Sequence, residues 1–395
     1  MRNMLKLIMF FLLFSGTLHS NEPGYTFTMK KEIPHTPVKN QSATSACWAF
    51  SGLSLFESEL MRMGNKPLDL SEMYLVRETY KKKAVEYARK NGDCTFAGGG
   101  EYSDLLTVVS EVGLVPDEVY PGLNNGESKH NHDEMDAVLK GYMDGLLRSP
   151  KLTSAWFAGL NGILDAYLGT MTPEFQYEGS THTSRSFSTE LGINYDDYVI
   201  LSSFGHKPFY KQSVLEVPNH WAPGTFYNLP LDELMEIIDN ALMSGYSIAW
   251  ASKMNTRGFS MKHGVAVVPE KKWRDMSKEE AELVFQGPNP EKVITQEVRQ
   301  KEFDNYAITG DHGMHIVGLA VDQDGNTFYK VKNSWGHTGK YDGFIFASRS
   351  FVMLTTTSAM VNKNAIPSVI AQKMGISQGQ PITMTENTEE TVNIK

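Results

Sequence analysis

Apolar positions recur at helical spacing in some stretches of this chain and run together or alternate in others. Ala49, Leu53, Phe56, Leu60 and Met63 stand at i, i+4, i+7, i+11 and i+14, one continuous face, which predicts a helix over 46–63. Thr44 or Ser45 is placed to cap its start and Gly64 to end it. A second helix is expected from Ser71 into the Lys81-Lys82-Lys83 run, where the lysines form a solvated face. A glycine-rich loop over 93–100 then opens a third helix over 103–112. Further helices are predicted over 133–147 and 152–168, and after a mixed aromatic segment over 231–244. In the last of these Leu231, Leu234, Met235, Ile238 and Leu242 share a face and Gly245 stops the helix. The short apolar run 247–251 predicts a buried strand, Ser277 with Glu280 a capping box, and 295–306 a polar helix. The block 315–346 is β-rich, with Asp324-Gly325-Asn326 as the turn between segments 316–321 and 327–332, and 367–374 predicts a short helix. The polar end, 377–395, has the composition of a mobile tail.

The first twenty residues follow a different rule. Arg2 and Lys6 precede the unbroken apolar run 7–14, and Ser15, Gly16 and Ser20 are small, as in a secretory signal peptide. Periplasmic or extracellular export is therefore expected. Cleavage near Ser20 would move the net charge from −9 to −11, which disfavours a nucleic-acid partner with a basic footprint. No later segment nears about 18 consecutive apolar residues, so no stable membrane insertion is expected. Hydrophobic residues make up 41% and charged residues 21% of the 395, a globular composition that excludes disordered and disulfide-scaffold classes. Only Cys47 and Cys94 are present, so disulfides do not hold the fold, and no Cys/His set has the spacing of a metal site; no cofactor is expected.

With so few cysteines, reactivity becomes the question. Cys47 falls in the first turn of its predicted helix, where unpaired N–H groups and the helix dipole favour an anion and lower a thiol pKa. Gln41 just upstream can turn an amide N–H toward the same point, and with the Cys47 N–H could stabilise an oxyanion. A base is needed. With the hairpin midpoint at 322.5, beside the turn at 324–326, His312 lies roughly opposite Asn333, whose amide can take one imidazole N–H and leave the other nitrogen free for the cysteine proton. Trp335 can cover that pair. His315 is the rival base, but three residues along a strand it faces the other side.

Pro37-Val38-Lys39-Asn40-Gln41 with Cys47-Trp48-Ala49-Phe50-Ser51, Asp311-His312-Gly313-Met314 and Asn333-Ser334-Trp335-Gly336, in that order, resemble the motifs of papain-like cysteine peptidases. The resemblance implies an α+β fold of two lobes, with Cys47 as nucleophile, His312 as base, Asn333 as its orienter, Gln41 as oxyanion donor and Trp335 as shield at the substrate side. Gly98-Gly99 resembles the strand that receives the substrate backbone. In place of the Cys-Gly-Ser-Cys-Trp signature of the papain and cathepsin branch stands Thr44-Ser45-Ala46-Cys47-Trp48, and 265 positions separate Cys47 from His312, against roughly 130–150 there.

The chain is thus similar to the bleomycin hydrolase and aminopeptidase C branch, and the similarity extends through Tyr167-Leu168-Gly169-Thr170, His206-Lys207-Pro208-Phe209-Tyr210 and Tyr227-Asn228-Leu229-Pro230. That implies a peptidase domain over 21–376, with a helical lobe near 37–120, a large mostly helical insertion near 121–300 and a β-rich lobe near 301–376. Hexamers whose C-terminal arm enforces aminopeptidase action on peptide substrates are the rule in that branch. A leader and a polar tail ending in Lys395 depart from it and keep an exported endopeptidase open as the alternative. A non-catalytic peptide-binding protein and a cysteine-dependent amidase are weaker readings, because all the motif residues are present in peptidase order.

Overall fold

The computed structural model describes residues 24–124, 126–217, 221–222 and 224–379. The expected signal peptide and the residues from 380 onward lie outside that range. The helical lobe follows β1 (Phe27–Glu32) and consists of α1 (Cys47–Arg62), α2 (Glu72–Arg89), α3 (Tyr102–Val112), α4 (Asp133–Leu146) and α5 (Ala155–Leu168). A small hairpin, β2 (Phe175–Tyr177) and β3 (Ser180–His182), leads through α6 (Ser184–Leu191) to β4 (Tyr198–Ser202), β5 (Gln212–Val214), β6 (Thr225–Asn228) and α7 (Leu231–Met243). Next come β7 (Ile248–Ser252), β8 (Phe259–Ser260), β9 (Val265–Ala266), α8 (Lys278–Leu283) and α9 (Gln296–Asp304). The chain then forms β10 (His312–Asp322), β11 (Thr327–Lys332), β12 (Phe344–Ser348), α10 (Arg349–Thr355), β13 (Thr356–Asn362) and α11 (Ser368–Met374).

Helix α1 is buried on every side from Trp48 to Leu60, because it lies between the lobes. Its apolar side chains join a core built with α2, α3, α4 and α5, while Ser54 and Glu59 reach His315 and Asn362 of the sheet. The other large core lies between the sheet and α7, α10 and α11. One sheet runs β5-β6-β4-β13-β7-β10-β11-β12-β9-β8, with β1 also on β10. Segment 121–300 therefore contributes helices α4 to α9 and also six strands of this sheet. Strand β10 is shared three ways: residues 312–316 pair with β7, and 315–322 with β11 and β1. Its start is thus held in mid-sheet against α1. Among the described residues no helix is long and apolar enough to cross a membrane.

Two local expectations give way to tertiary demands. The N-cap of α1 is Ala46 with no side-chain cap, because Thr44 is engaged in the turn before it, donating to Gln41 O at 2.9 Å. Within the lysine run, Lys81 and Lys82 sit at the surface beside Glu78 and Glu111, but Lys83 is only 2% exposed. Its ammonium turns inward to the Ala97 carbonyl at 2.6 Å and to that of Gly99, so a helix face expected to be solvated instead anchors the glycine loop.

Candidate active site

The segment before α1 reaches its place through buried charge. Lys39 donates to Glu57 of α1 at 3.0 Å and to Glu72 of α2 at 2.7 Å, and Gln41 pairs by N–H with Ser334 O at 2.8 Å. Gln41 is buried; its Oε1 accepts the Ser334 hydroxyl at 2.6 Å and its Nε2 donates to Thr44 O at 2.8 Å. One amide hydrogen remains for a ligand.

On the opposite wall, Gly313 lets β10 touch α1. A Cβ there would stand 2.8 Å from Ser51 Oγ and 3.1 Å from Cys47 O, so any side chain would press on both. This close approach places His312 in the same pocket as Cys47. His312 Nε2 donates to Asn333 Oδ1 at 2.7 Å, and that oxygen also accepts Ser334 N–H at 2.8 Å, which identifies it as the acceptor. The other imidazole nitrogen, Nδ1, is then the unprotonated one. The Trp335 ring lies against His312, with centroids 5.0 Å apart.

The ladder that produces this contact differs from a hairpin with its midpoint at 322.5. His315 pairs with Lys332 and Ile316 with Val331, after which an irregularity near Val317 shifts the register to Gly318 with Lys330. Extending the first register puts Trp335, not Asn333, across from His312. Asn333 is two residues away on the same face and reaches His312 along the diagonal, as long polar side chains can. Next to the turn the pairs are centred on 324 rather than 322.5, and the irregularity takes back only one residue of that difference.

The pocket, about 360 Å³, is lined by Gln41, Cys47, Trp48, the loop from Ala97 to Tyr102, Asp136 and the stretch from Gly310 to Gly313. Gly98 and Gly99 are thus at the site as expected. Trp335 is not part of that lining; its ring lies against the imidazole of His312, the place a shield would take. His315 is buried on the other side of β10, bonded to Ser54 Oγ at 2.9 Å. Cys94 is free and outside the pocket. Among the described residues no group of three or more His, Cys, Asp or Glu side chains could hold a metal ion.

Cys47 opens this pocket from the first residue of α1, yet its thiol is not lowered. Desolvation pushes it up to about 11, with Glu101 and Asp311 adding negative charge nearby, and the N–H groups of Gly313 and Trp48 offset only part of this. Burial likewise lowers His312, opposed by its bond to Asn333. Enclosure outweighs the helix terminus here and shifts both groups toward their neutral forms. Sequence reasoning passed over Glu101, Asp136 and Lys83. Their only signal was position: an acid directly after three glycines, and a lysine on the inner side of its helix.

A two-lobed fold with a cysteine at a buried helix start, facing a His–Asn pair on a neighbouring strand, defines a papain-like cysteine peptidase. A model of the papain family of cysteine proteases matches residues 26–177, and a model of the Peptidase C1-like family matches 172–386, more than half of the chain. The chain belongs to the Peptidase C1-like family. It is similar to aminopeptidase C of Lactobacillus delbrueckii subsp. lactis, 22% identical over 401 aligned positions covering 90% of this chain and 86% of that one. Aminopeptidase C of Lactococcus lactis subsp. cremoris is 20% identical, with 89% and 85% covered. The crystal structure of PepW from Lactobacillus rhamnosis superposes with a TM-score of 0.70 at 19% identity, covering 88% and 84%, and shares the fold.

Proposed function

We propose that this cysteine peptidase is an aminopeptidase in which Cys47 is the nucleophile, His312 the base, Asn333 its orienter and Gln41 an oxyanion donor. The observation that carries the catalytic assignment is the meeting of Cys47, Gln41 and His312 in one pocket with Asn333 2.7 Å behind the imidazole. Exopeptidase action is supported by similarity to aminopeptidase C along nearly the whole chain.

In this reading His312 Nδ1 accepts the thiol proton as Cys47 Sγ bonds to the scissile carbonyl carbon. The oxyanion takes hydrogen bonds from Gln41 Nε2 and the Cys47 N–H. Collapse breaks the C–N bond, and the imidazolium returns its proton to the leaving amine. Water, deprotonated by His312, then hydrolyses the thioester and frees the thiol. Export belongs to the same proposal, supported by Arg2, Lys6 and the apolar run 7–14.

Mass spectrometry of products from a peptide pool, with and without blocked N-termini, tests the reading. Stepwise loss of N-terminal residues from free peptides only is the expected result. Internal cleavage of blocked peptides would make it an endopeptidase, and peptide bonds left intact beside hydrolysed simple amides would make it an amidase.

A further inference from the structure

Three acids line the catalytic pocket, and two of them are already engaged. Asp311 pairs with Lys253 at 3.0 Å and accepts the N–H groups of Met254 and Asn255 at 2.7 and 3.2 Å. Asp136 accepts the Tyr80 hydroxyl. Glu101 is different: it is 8% exposed, has no cationic partner among the described residues, and shares only a capping box with Asp104 at the start of α3. Lys83, the nearest buried ammonium on α2, is spent on the carbonyls of Ala97 and Gly99.

Beside Glu101 the wall is shaped to leave room. Gly310 faces it, and a Cβ there would stand 3.8 Å from Glu101 Oε1 and 3.2 Å from Thr357 Oγ1. Without that side chain the space between carboxyl and hydroxyl stays open. Thr357 is 1% exposed and its Oγ1 has no hydrogen-bond partner, a rare condition for a buried hydroxyl. An acid with no cationic partner among the described residues and an idle buried hydroxyl thus both border Gly310, and Glu101 and Gly310 line the pocket that holds Cys47.

We propose that Glu101 and Thr357 form a cation subsite of the catalytic pocket, which receives a positively charged group of the peptide substrate and so determines specificity. The cation is an ammonium or guanidinium. It comes from the peptide N-terminus, an assignment that rests on the aminopeptidase reading, or from a lysine or arginine side chain. Burial and Asp104 push the Glu101 carboxyl up to about 8, so the empty subsite holds a neutral acid. An arriving cation favours loss of that proton, and the subsite becomes a charge pair only when filled. Glu101→Gln resembles the empty, neutral form and is therefore expected to fold.

Two substrate pairs test this, each differing by one cation. Alanyl-coumarylamide is compared with propionyl-coumarylamide, which lacks the ammonium, and an N-acetyl-lysyl-alanyl-coumarylamide with its norleucyl counterpart. The wild-type enzyme is expected to prefer the cationic member of at least one pair. Glu101→Gln should cut that preference at least tenfold, mainly through KM, and Thr357→Val should shift it the same way. Loss confined to the alanyl pair identifies the N-terminal ammonium; loss confined to the lysyl pair identifies a side chain and retains the subsite. Equal loss on all four substrates would reduce Glu101 to a helix cap, and unchanged preference would remove it from recognition; either overturns the proposal. A wild type that cleaves acetylated substrates readily and ignores the alanyl ammonium defeats the aminopeptidase reading, while the lysyl pair still decides the subsite.

Discussion

Asn333 Oδ1 accepts two hydrogen bonds at once, from His312 Nε2 at 2.7 Å and from the N–H of Ser334 at 2.8 Å. The backbone bond fixes the amide, and the amide fixes the imidazole tautomer. Because His312 must be neutral to accept a proton, activity should fall as pH drops through its pKa. That value is below the ordinary 6.5, because burial disfavours imidazolium. The acid limb of kcat/KM should therefore lie below pH 6.5. The bond to Asn333 raises the histidine pKa, so Asn333→Ala should move the limb to still lower pH while reducing kcat. A limb shifted upward in the variant would reverse the assigned role.

Replacing Cys47 by Ser should abolish peptide hydrolysis with the thermal transition retained, since one atom changes and its volume is similar. His312→Ala should do the same. His315→Ala, on the far face of β10, should leave most turnover and instead cost stability, about 2–4 kcal/mol, through the cavity and the lost bond to Ser54, whose hydroxyl keeps only Lys332. Denaturant titration alongside kinetics separates the two histidines.

Gln41 is held at its carbonyl by Ser334 and donates one N–H to Thr44, so its side chain is positioned before substrate arrives. Gln41→Ala should lower kcat by about 10²–10³, the usual effect of losing one oxyanion donor, with little change in KM. A dominant KM effect would move Gln41 to ground-state binding.

Lys83 supports the glycine loop from below. Lys83→Met keeps the length and loses the donors to Ala97 and Gly99, so KM should rise more than kcat falls, and the loop amides should exchange faster with solvent. Burial holds the Lys83 ammonium down to about 8. Unfolding releases it to its ordinary value of 10.5, so the unfolded chain binds the extra proton between these values. Its contribution to stability should therefore grow as pH rises from 8 toward 10.5 and be absent in the variant.

The segment after Gly379 is the remaining candidate for enforcing exopeptidase action. Gly379 N–H is bonded to Asn364 Oδ1 at 2.8 Å, just past the end of β13 remote from the pocket; at the near end Thr356 pairs with Ser252, itself the partner of His312. Seven strand residues span about 20 Å, and the sixteen residues that follow Gly379 could extend to about 55 Å, enough to return to the cleft. Truncation after Gly379 keeps this anchor and should let N-blocked peptides be cut internally. No change in product pattern on truncation would free the tail of that role.

What the sequence determined by itself was local. The apolar stripe of α1, the turn at 324–326, the capping box at Ser277 and the residues of the three motifs all depend on neighbours within a few positions, where periodicity and turn chemistry act. Parity along β10 was legible too, and it separated His312 from His315. Tertiary structure decided what depends on distant partners: the register that brings Asn333 to His312 diagonally, the inward turn of Lys83, the enclosure that raises the Cys47 thiol, and the placing of Glu101 against Gly310 and Thr357. Strand pairing joins segments hundreds of residues apart, and the charge state of a side chain is set by whatever excludes water from it. Both are properties of the packed chain and leave no period in the sequence.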